Sequence, residues 1–124
     1  MTTAHSPKQN PLLPFMVQKF ERAAIVAHFG YEDEDSAMQS AGIQAAKKAV
    51  KVLDAIGSEG RLALVPLLEN SDWGVRVFAA GYLVKVIPER ALAVLQDIRA
   101  KCPTQARMTA SRMLRRYEAG GFDM

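Results

Sequence analysis

Three observations predict an all-α fold, an α-solenoid of about three helical hairpins and about six helices. Apolar residues recur with helical spacing through most of the chain. Alanine is abundant and aromatic residues make up only 7% of the chain, a composition that favours helix over sheet. A segment of the second half also recurs 31 residues later. Because 124 residues suffice for one hydrophobic core but not for two, we expect a single domain.

Composition and charge restrict the class of protein. The chain is 49% hydrophobic and 23% charged, which is typical of a globular protein and not of a disordered one. The net charge of +3 permits contact with nucleic acid or with an acidic protein surface and requires neither. A lone cysteine, Cys102, the lack of a long apolar run and the lack of an apolar signal region together indicate a cytoplasmic protein.

Prolines and glycines divide the chain into a domain and two tails. Residues 1–11 are polar and interrupted by prolines, so we expect a flexible N-terminal tail. Residues 12–119 form the predicted HEAT-like helical repeat domain, as argued below, and residues 120–124 a C-terminal tail.

The most apolar stretch, residues 71–86, is predicted to be the central helix. Its apolar residues cover almost the whole helical circumference, and a helix of that kind is normally buried by neighbours on several sides. Asp72 is the expected N-cap. One broad face carries Val75, Phe78, Ala79, Tyr82, Leu83 and Val86.

The first half of the chain is predicted to hold three helices. The first begins near Pro14 and ends at Gly30. The second covers residues 35–56, and the third begins at Ser58, runs to Leu68 and is short or kinked at Pro66.

The acidic segment over residues 31–35 connects the first two helices. Its carboxylates offset the positive end of the following helix, and Asp35 or Ser36 can cap that helix. A docking site for a basic partner is the alternative interpretation.

Two further helices, from Pro88 and from the residues after Pro103, complete the domain and carry the repeat. Two helix pairs of matched register cannot bury their apolar faces separately, so we expect them to stack on a shared core. The matched pairs are Leu64 with Leu95, Leu67 with Ile98, Val75 with Ala106, Arg76 with Arg107, Ala79 with Ala110, and Leu83 with Leu114.

The repeated residues resemble a HEAT repeat. The pattern is Leu64-x-x-Leu67-Leu68 followed by Asp72-x-x-Val75-Arg76-x-x-Ala79-Ala80-x-x-Leu83. Residues 61–117 resemble two such repeats, and residues 15–117 are similar to a family of small standalone bacterial HEAT-like proteins, known only as a domain of unknown function.

The resemblance implies an α-solenoid that binds another macromolecule, usually a protein, and has no catalytic residues of its own. It also implies a ladder of ion pairs between repeats, formed by an aspartate in the turn and an arginine in the second helix. Asp72 and Arg76 occupy these two positions. Pro103 stands where the next aspartate would be, so the ladder should end after one rung.

Candidate catalytic and metal-binding residues are few. His5 and His28 have no partner at metal-ligand spacing, and Cys102 has no histidine nearby to activate it. Phosphate loops, nucleophile elbows and paired carboxylates are also missing from the sequence. We therefore expect no enzyme activity, cofactor or metal, and an enzyme is the third-ranked hypothesis.

A basic surface is the main candidate for function. The resemblance places the second helix of each hairpin on the concave side, and the helix after Pro103 is rich in arginine. The predicted partner-binding residues are Lys47, Lys48, Lys51, Trp73, Arg76, Arg107 and Arg112. Tryptophan and arginine are enriched at protein-binding hot spots, and no exposed aromatics are interleaved with the basic residues for base stacking.

The leading hypothesis is therefore a protein-binding module, most specifically an immunity protein that binds and blocks a bacterial toxin. The alternative is a basic nucleic-acid-binding HEAT-like module, and weak non-specific binding of nucleic acid is expected in either case.

Overall fold

The computed structural model describes residues 10–122 and 124, and all regular elements among those residues are helical. The elements are α1 (Leu12–Glu32), α2 (Ser36–Ile56), α3 (Ser58–Leu62), a 3-10 helix (Val65–Glu69), α4 (Trp73–Leu83), α5 (Pro88–Lys101) and α6 (Ala106–Glu118). The predicted all-α class is confirmed. Residues 1–9 of the predicted N-terminal tail lie outside the described residues. None of the described helices is long and apolar enough to cross a membrane.

Helices α1 and α2 form a close antiparallel pair joined by a short turn. The pair is close because small residues lie at the contact: a Cβ added to Gly42 would overlap the backbone of Ala27. Gly30 likewise faces the backbone of Gln39. The prediction that Gly30 ends the first helix is wrong, because the helix continues to Glu32 and this glycine permits the close approach of α2.

Helix α4 lies at the centre of the fold. It packs against α1, α5, α6 and the 3-10 helix, and eight of its eleven residues are buried. The central-helix prediction is confirmed, with a shorter extent. The helix ends at Leu83 and the chain turns before α5, so Val86 is 39% exposed instead of sharing the buried face.

The segment between α2 and α4 is irregular, as Pro66 predicts. Helix α3 ends at Leu62, and Pro66 occupies the first turn of the 3-10 helix, where its missing N–H is not needed. Gly60 packs directly against the carbonyl of Leu53, which brings α3 onto α2. The predicted third helix is therefore short, and a second, separate helical turn follows it.

Helices α5 and α6 pack against each other and against α4. The five apolar pairs of the 31-residue repeat are all buried, from Leu64 with Leu95 to Leu83 with Leu114. The local structures nevertheless differ, because Leu64 lies in a turn and Leu95 lies within α5. The repeat thus describes equivalent positions in the core more closely than equivalent helices.

Two predicted N-caps are present. The Asp72 carboxylate accepts hydrogen bonds from the backbone N–H groups of Gly74 at 2.8 Å and Val75 at 3.1 Å. The Asp35 carboxylate accepts one from the N–H of Met38 at 3.0 Å. The acidic connector therefore caps α2, as expected from the positive end of that helix.

Glu32 caps a different helix. Its carboxylate accepts a hydrogen bond at 2.6 Å from the backbone N–H of Gln105, at the start of α6 and 73 residues away. The Thr104 hydroxyl oxygen accepts a second hydrogen bond there, at 3.3 Å from the N–H of Ala106, so α6 has one local cap and one from the end of α1. The first and last helices of the fold are thereby in direct contact.

Candidate binding groove

A groove of about 860 Å³ lies between α2, α4 and α6, and residues of the last turns of α1 also line it. We call it the binding groove. Its lining includes five basic side chains that are exposed to solvent: Lys47, Lys48, Lys51, Arg112 and Arg116. Among the described residues that line it, Asp54 has the one acidic side chain. The surface of the groove is therefore strongly positive.

The floor of the binding groove is apolar. Val50, Tyr82 and Met113 are buried there, and Ile43 and Phe78 are half-buried. Such a combination of an apolar floor and charged edges resembles a protein interface, in which a dry centre is surrounded by a polar rim.

Arg61 neutralises the acidic side chain of Asp54 in the lining of the groove. Its Nε and Nη2 atoms donate hydrogen bonds to Asp54 at 3.0 and 2.6 Å. Its Nη1 atom donates to the backbone oxygens of Tyr82 at 3.0 Å and of Met124 at 2.9 Å. The Arg61 side chain is only 15% exposed, so its charge is used within the protein. No ion pair among the described residues engages the five exposed cations.

Tyr82 lies beneath these groups, and its environment changes its acidity. Burial raises the pKa of the Tyr82 hydroxyl, because an ionised phenolate would lose its hydration. The nearby Arg61 charge opposes this shift and lowers the pKa by a smaller amount. Tyr82 also packs edge-on against Phe20, with ring centroids 5.6 Å apart, so its ring belongs to the core.

Arg112 is held in place by Tyr31. Its Nη1 atom donates to the Tyr31 hydroxyl at 3.3 Å, and its guanidinium lies 5.6 Å from the centre of the Tyr31 ring. Because Tyr31 is at the end of α1, this contact lies beside the Glu32 cap and fixes α6 against α1. The position of Arg112 is therefore set by the fold.

The structure brings together four of the seven residues predicted to bind a partner. Lys47, Lys48, Lys51 and Arg112 line the binding groove. The other three, Trp73, Arg76 and Arg107, are not among its lining residues.

Trp73 and Arg76 pair with each other at the start of α4. The Arg76 guanidinium lies 4.0 Å from the centre of the Trp73 ring, and both residues are half-buried. The prediction that Asp72 and Arg76 form an ion pair is wrong. The structure describes both residues, and no ion pair joins them. Asp72 instead uses its carboxylate to cap α4, and the buried Nε of Arg76 has no hydrogen-bond partner among the described residues.

Sequence reasoning missed Arg61 and His28 as groove residues. Helical spacing does place Arg116 beside Arg112 on the basic side of the last helix, but Arg116 was not among the predicted partner-binding residues. His28 packs against Gly74, where an added Cβ would overlap its side chain. For Arg61 no local pattern was available, because its partners in α4 and at Met124 are distant in the sequence.

Within residues 10–122 and 124, no group of three or more His, Cys, Asp or Glu side chains could hold a metal ion. The Cys102 thiol is buried and contacts Thr104, with Sγ 3.0 Å from the threonine hydroxyl oxygen. The thiol is enclosed at the junction of α5 and α6, an environment typical of a cysteine with a structural role.

Comparisons of the chain with protein-family models, with curated proteins and with solved structures found no match. The resemblance to HEAT repeats therefore stays a prediction.

Proposed function

We propose that this protein is a non-catalytic binding protein whose groove holds an acidic segment of a partner protein. The observation that supports this most directly is the charge arrangement: five exposed cations stand around an apolar floor, and Asp54, the one acidic side chain among the described lining residues, is already paired with Arg61. A ligand with carboxylates at its edges and an apolar surface beneath them would match both parts of the groove.

An amphipathic acidic helix has this chemistry. On such a helix, carboxylates cover one face and apolar side chains the other, which matches the exposed cations and the apolar floor of the groove. Helix-in-groove recognition uses apolar anchors one turn apart, and here Ile43, Phe78 and Met113 would receive them.

The solenoid prediction belongs to this proposal. Three HEAT-like hairpins would place α2, α4 and α6 on one side of the molecule, and these three helices do line the same groove. The equal burial of the repeated positions is a second observation in its favour.

The immunity hypothesis is the most specific form of the proposal. In that form the acidic segment belongs to a toxin, and its capture in the groove blocks the toxin. Co-expression with the product of a neighbouring toxin gene should then rescue cell growth, and charge reversal in the groove should abolish that rescue.

The proposal is tested by reversing groove charges. The variant Lys47→Glu, Lys51→Glu, Arg116→Glu changes three exposed residues and leaves the Arg112–Tyr31 contact intact. A matched control, Lys85→Glu, Arg99→Glu, Arg115→Glu, makes the same charge change at exposed positions outside the groove. Binding of a synthetic acidic amphipathic helix should weaken by about a hundredfold or more in the first variant and only slightly in the control.

A DNA duplex serves as the competing ligand. Duplex binding that stays sub-micromolar at physiological salt and is lost only in the groove variant would instead support the nucleic-acid hypothesis. Equal loss of peptide binding in both triple variants would contradict the groove as the site.

A further inference from the structure

The chain reverses direction directly after α6, at a pair of glycines. The N–H of Gly120 donates to the carbonyl of Tyr117, and the N–H of Gly121 donates to the carbonyl of Arg116, each at 3.0 Å. These two hydrogen bonds form a Schellman motif, which ends a helix with a residue in the left-handed conformation. Gly120 has a φ of +81°, a region that glycine enters without strain. The motif therefore turns the following residues back toward the core.

Phe122 and Met124, the two described residues after this reversal, both pack against the hydrophobic core. Phe122 lies edge-on to Tyr117, with ring centroids 6.5 Å apart. Met124 lines the binding groove, and its backbone oxygen accepts a hydrogen bond from Arg61 at 2.9 Å. We call Phe122 and Met124 the latch. Part of the groove is thus occupied by the chain itself.

Met124 lies beside Met113, one of the three residues proposed to receive an apolar anchor of the partner. A Cβ added to Gly81 would be 2.9 Å from the Cε of Met113 and 3.2 Å from the Cε of Met124. The glycine therefore leaves a hollow in α4 that the ends of the two methionines fill, and methionine adapts well to such irregular space. An anchor that contacts Met113 there would meet Met124 in the same place.

The latch is held by few contacts. Its two residues are each only half-buried, and the glycines that join them to α6 are exposed. A Cβ added to Gly120 or Gly121 would find nothing within 4 Å, so nothing packs around this link. Nη1 of Arg61 also donates to the backbone oxygen of Tyr82 at 3.0 Å, so it keeps an acceptor when Met124 leaves. Segments with so few buried contacts open at a small cost in free energy.

We propose that Met124 competes with the partner for the binding groove, so that the partner displaces the latch before its own anchor contacts Met113. This inference rests on the proposed function and describes how that binding is regulated. A protein whose binding-competent state is only partly populated has an apparent affinity reduced by the populated fraction. A latch closed in about nine molecules of ten weakens binding about tenfold, and its removal restores the lost affinity.

Titration calorimetry with the synthetic acidic amphipathic helix tests the latch. Met124→Ser removes the side chain that fills the groove and should tighten the binding of that peptide by about tenfold relative to the wild type. The matched control is Met108→Ser, at an exposed methionine of α6 that does not line the groove. This control should bind with the wild-type affinity. Circular dichroism checks that each variant is folded.

A second variant leaves both latch residues intact. Gly120→Ala places a Cβ on a residue with a φ of +81°, which disfavours the chain reversal, so the peptide should bind about threefold to tenfold more tightly. Gly121→Ala is its control, because Gly121 lacks a positive φ and has open space around it. The control should again bind with the wild-type affinity.

Nuclear magnetic resonance of the methionine methyl groups follows the latch directly. In the free wild-type chain, the Met124 and Met113 methyl groups should show a nuclear Overhauser effect to each other, since both lie over Gly81. Saturation with the peptide should remove that effect. It should also move the Met124 methyl signal to the position of an exposed methionine such as Met108.

The results distinguish failure of the latch from failure of the proposed function. Met124→Ser that binds the peptide no more tightly than the wild type would overturn the latch and leave the proposed function standing. A contact between Met124 and Met113 that persists in the saturated complex would do the same. Absence of peptide binding by the wild type and by both latch variants would contradict the proposed function, and the competition with it.

Discussion

The guanidinium of Arg61 holds the carboxylate of Asp54 at two points, with Nε 3.0 Å from Oδ1 and Nη2 2.6 Å from Oδ2. The same side chain reaches the backbone oxygens of Tyr82 and Met124, so one residue of α3 fastens the end of α2 to the end of α4. Two-point geometry in a mostly buried arginine distinguishes this pair from an ordinary surface ion pair.

Arg61→Ala should lower the free energy of unfolding by about 2 kcal/mol, because three acceptors lose their shared donor. The matched control is Arg90→Ala, which removes the exposed ion pair with Glu69 and should cost less than about 0.5 kcal/mol. Urea denaturation followed by circular dichroism gives both values. Equal losses in the two variants would contradict the special role of Arg61.

Gly42→Ala should destabilise the protein by about 1–3 kcal/mol, because the added methyl group overlaps Ala27 and forces α1 away from α2. Gly121→Ala adds the same methyl group where nothing lies within 4 Å, and should leave the melting temperature nearly unchanged. Thermal melts of the two variants make the comparison. A normal melt for Gly42→Ala would show that the α1–α2 contact is looser than described.

Tyr82 should make the protein sensitive to alkali. Its folded-state pKa is raised by burial, so between pH 10 and that higher pKa the folded chain binds more protons than the unfolded chain. The free energy of unfolding should therefore be unaffected by this group below pH 10 and fall above it, by at most about 1.4 kcal/mol per pH unit. Tyr82→Phe should remove this part of the pH dependence, whereas Tyr117→Phe, at an exposed residue, should retain it.

Cys102 should be unreactive in the native protein. The residue is 2% exposed and its thiol contacts Thr104, so an aromatic disulfide reagent gains access only when α5 and α6 separate. We expect a reaction at least about a hundredfold slower than that of the denatured chain, since the open form of a stable domain is rarely populated. A native rate close to the denatured rate would mean that this junction opens freely.

The features that sequence reasoning predicted are local ones. Asp35 and Asp72 cap helices that begin within three residues of them, and Pro66 interrupts the helix in which it occurs. The errors arose where a distant contact outweighed a local preference. A glycine such as Gly30 often marks the end of a helix. Here it lies inside α1, because the close approach of α2 leaves no room for a side chain.

The binding groove was predictable only in part for the same reason. Helical spacing grouped Lys47, Lys48 and Lys51 on one side of α2, and the three line the groove together. The contact between Tyr31 and Arg112 spans 81 residues, and no periodic pattern reports a pair of that separation. Trp73 and Arg76 satisfied a compositional rule for interfaces but pair with each other outside the groove.

The hydrogen bond from Gln105 to Glu32 has a consequence for how the chain comes apart. In a linear stack, the last helix can melt while the first stays folded, because each unit touches only its neighbours. Here Glu32 at the end of α1 adds to the local cap that Thr104 gives the start of α6, so loss of either helix weakens the other. Heat should therefore dismantle the two ends of the molecule in one cooperative transition, without a partly frayed intermediate.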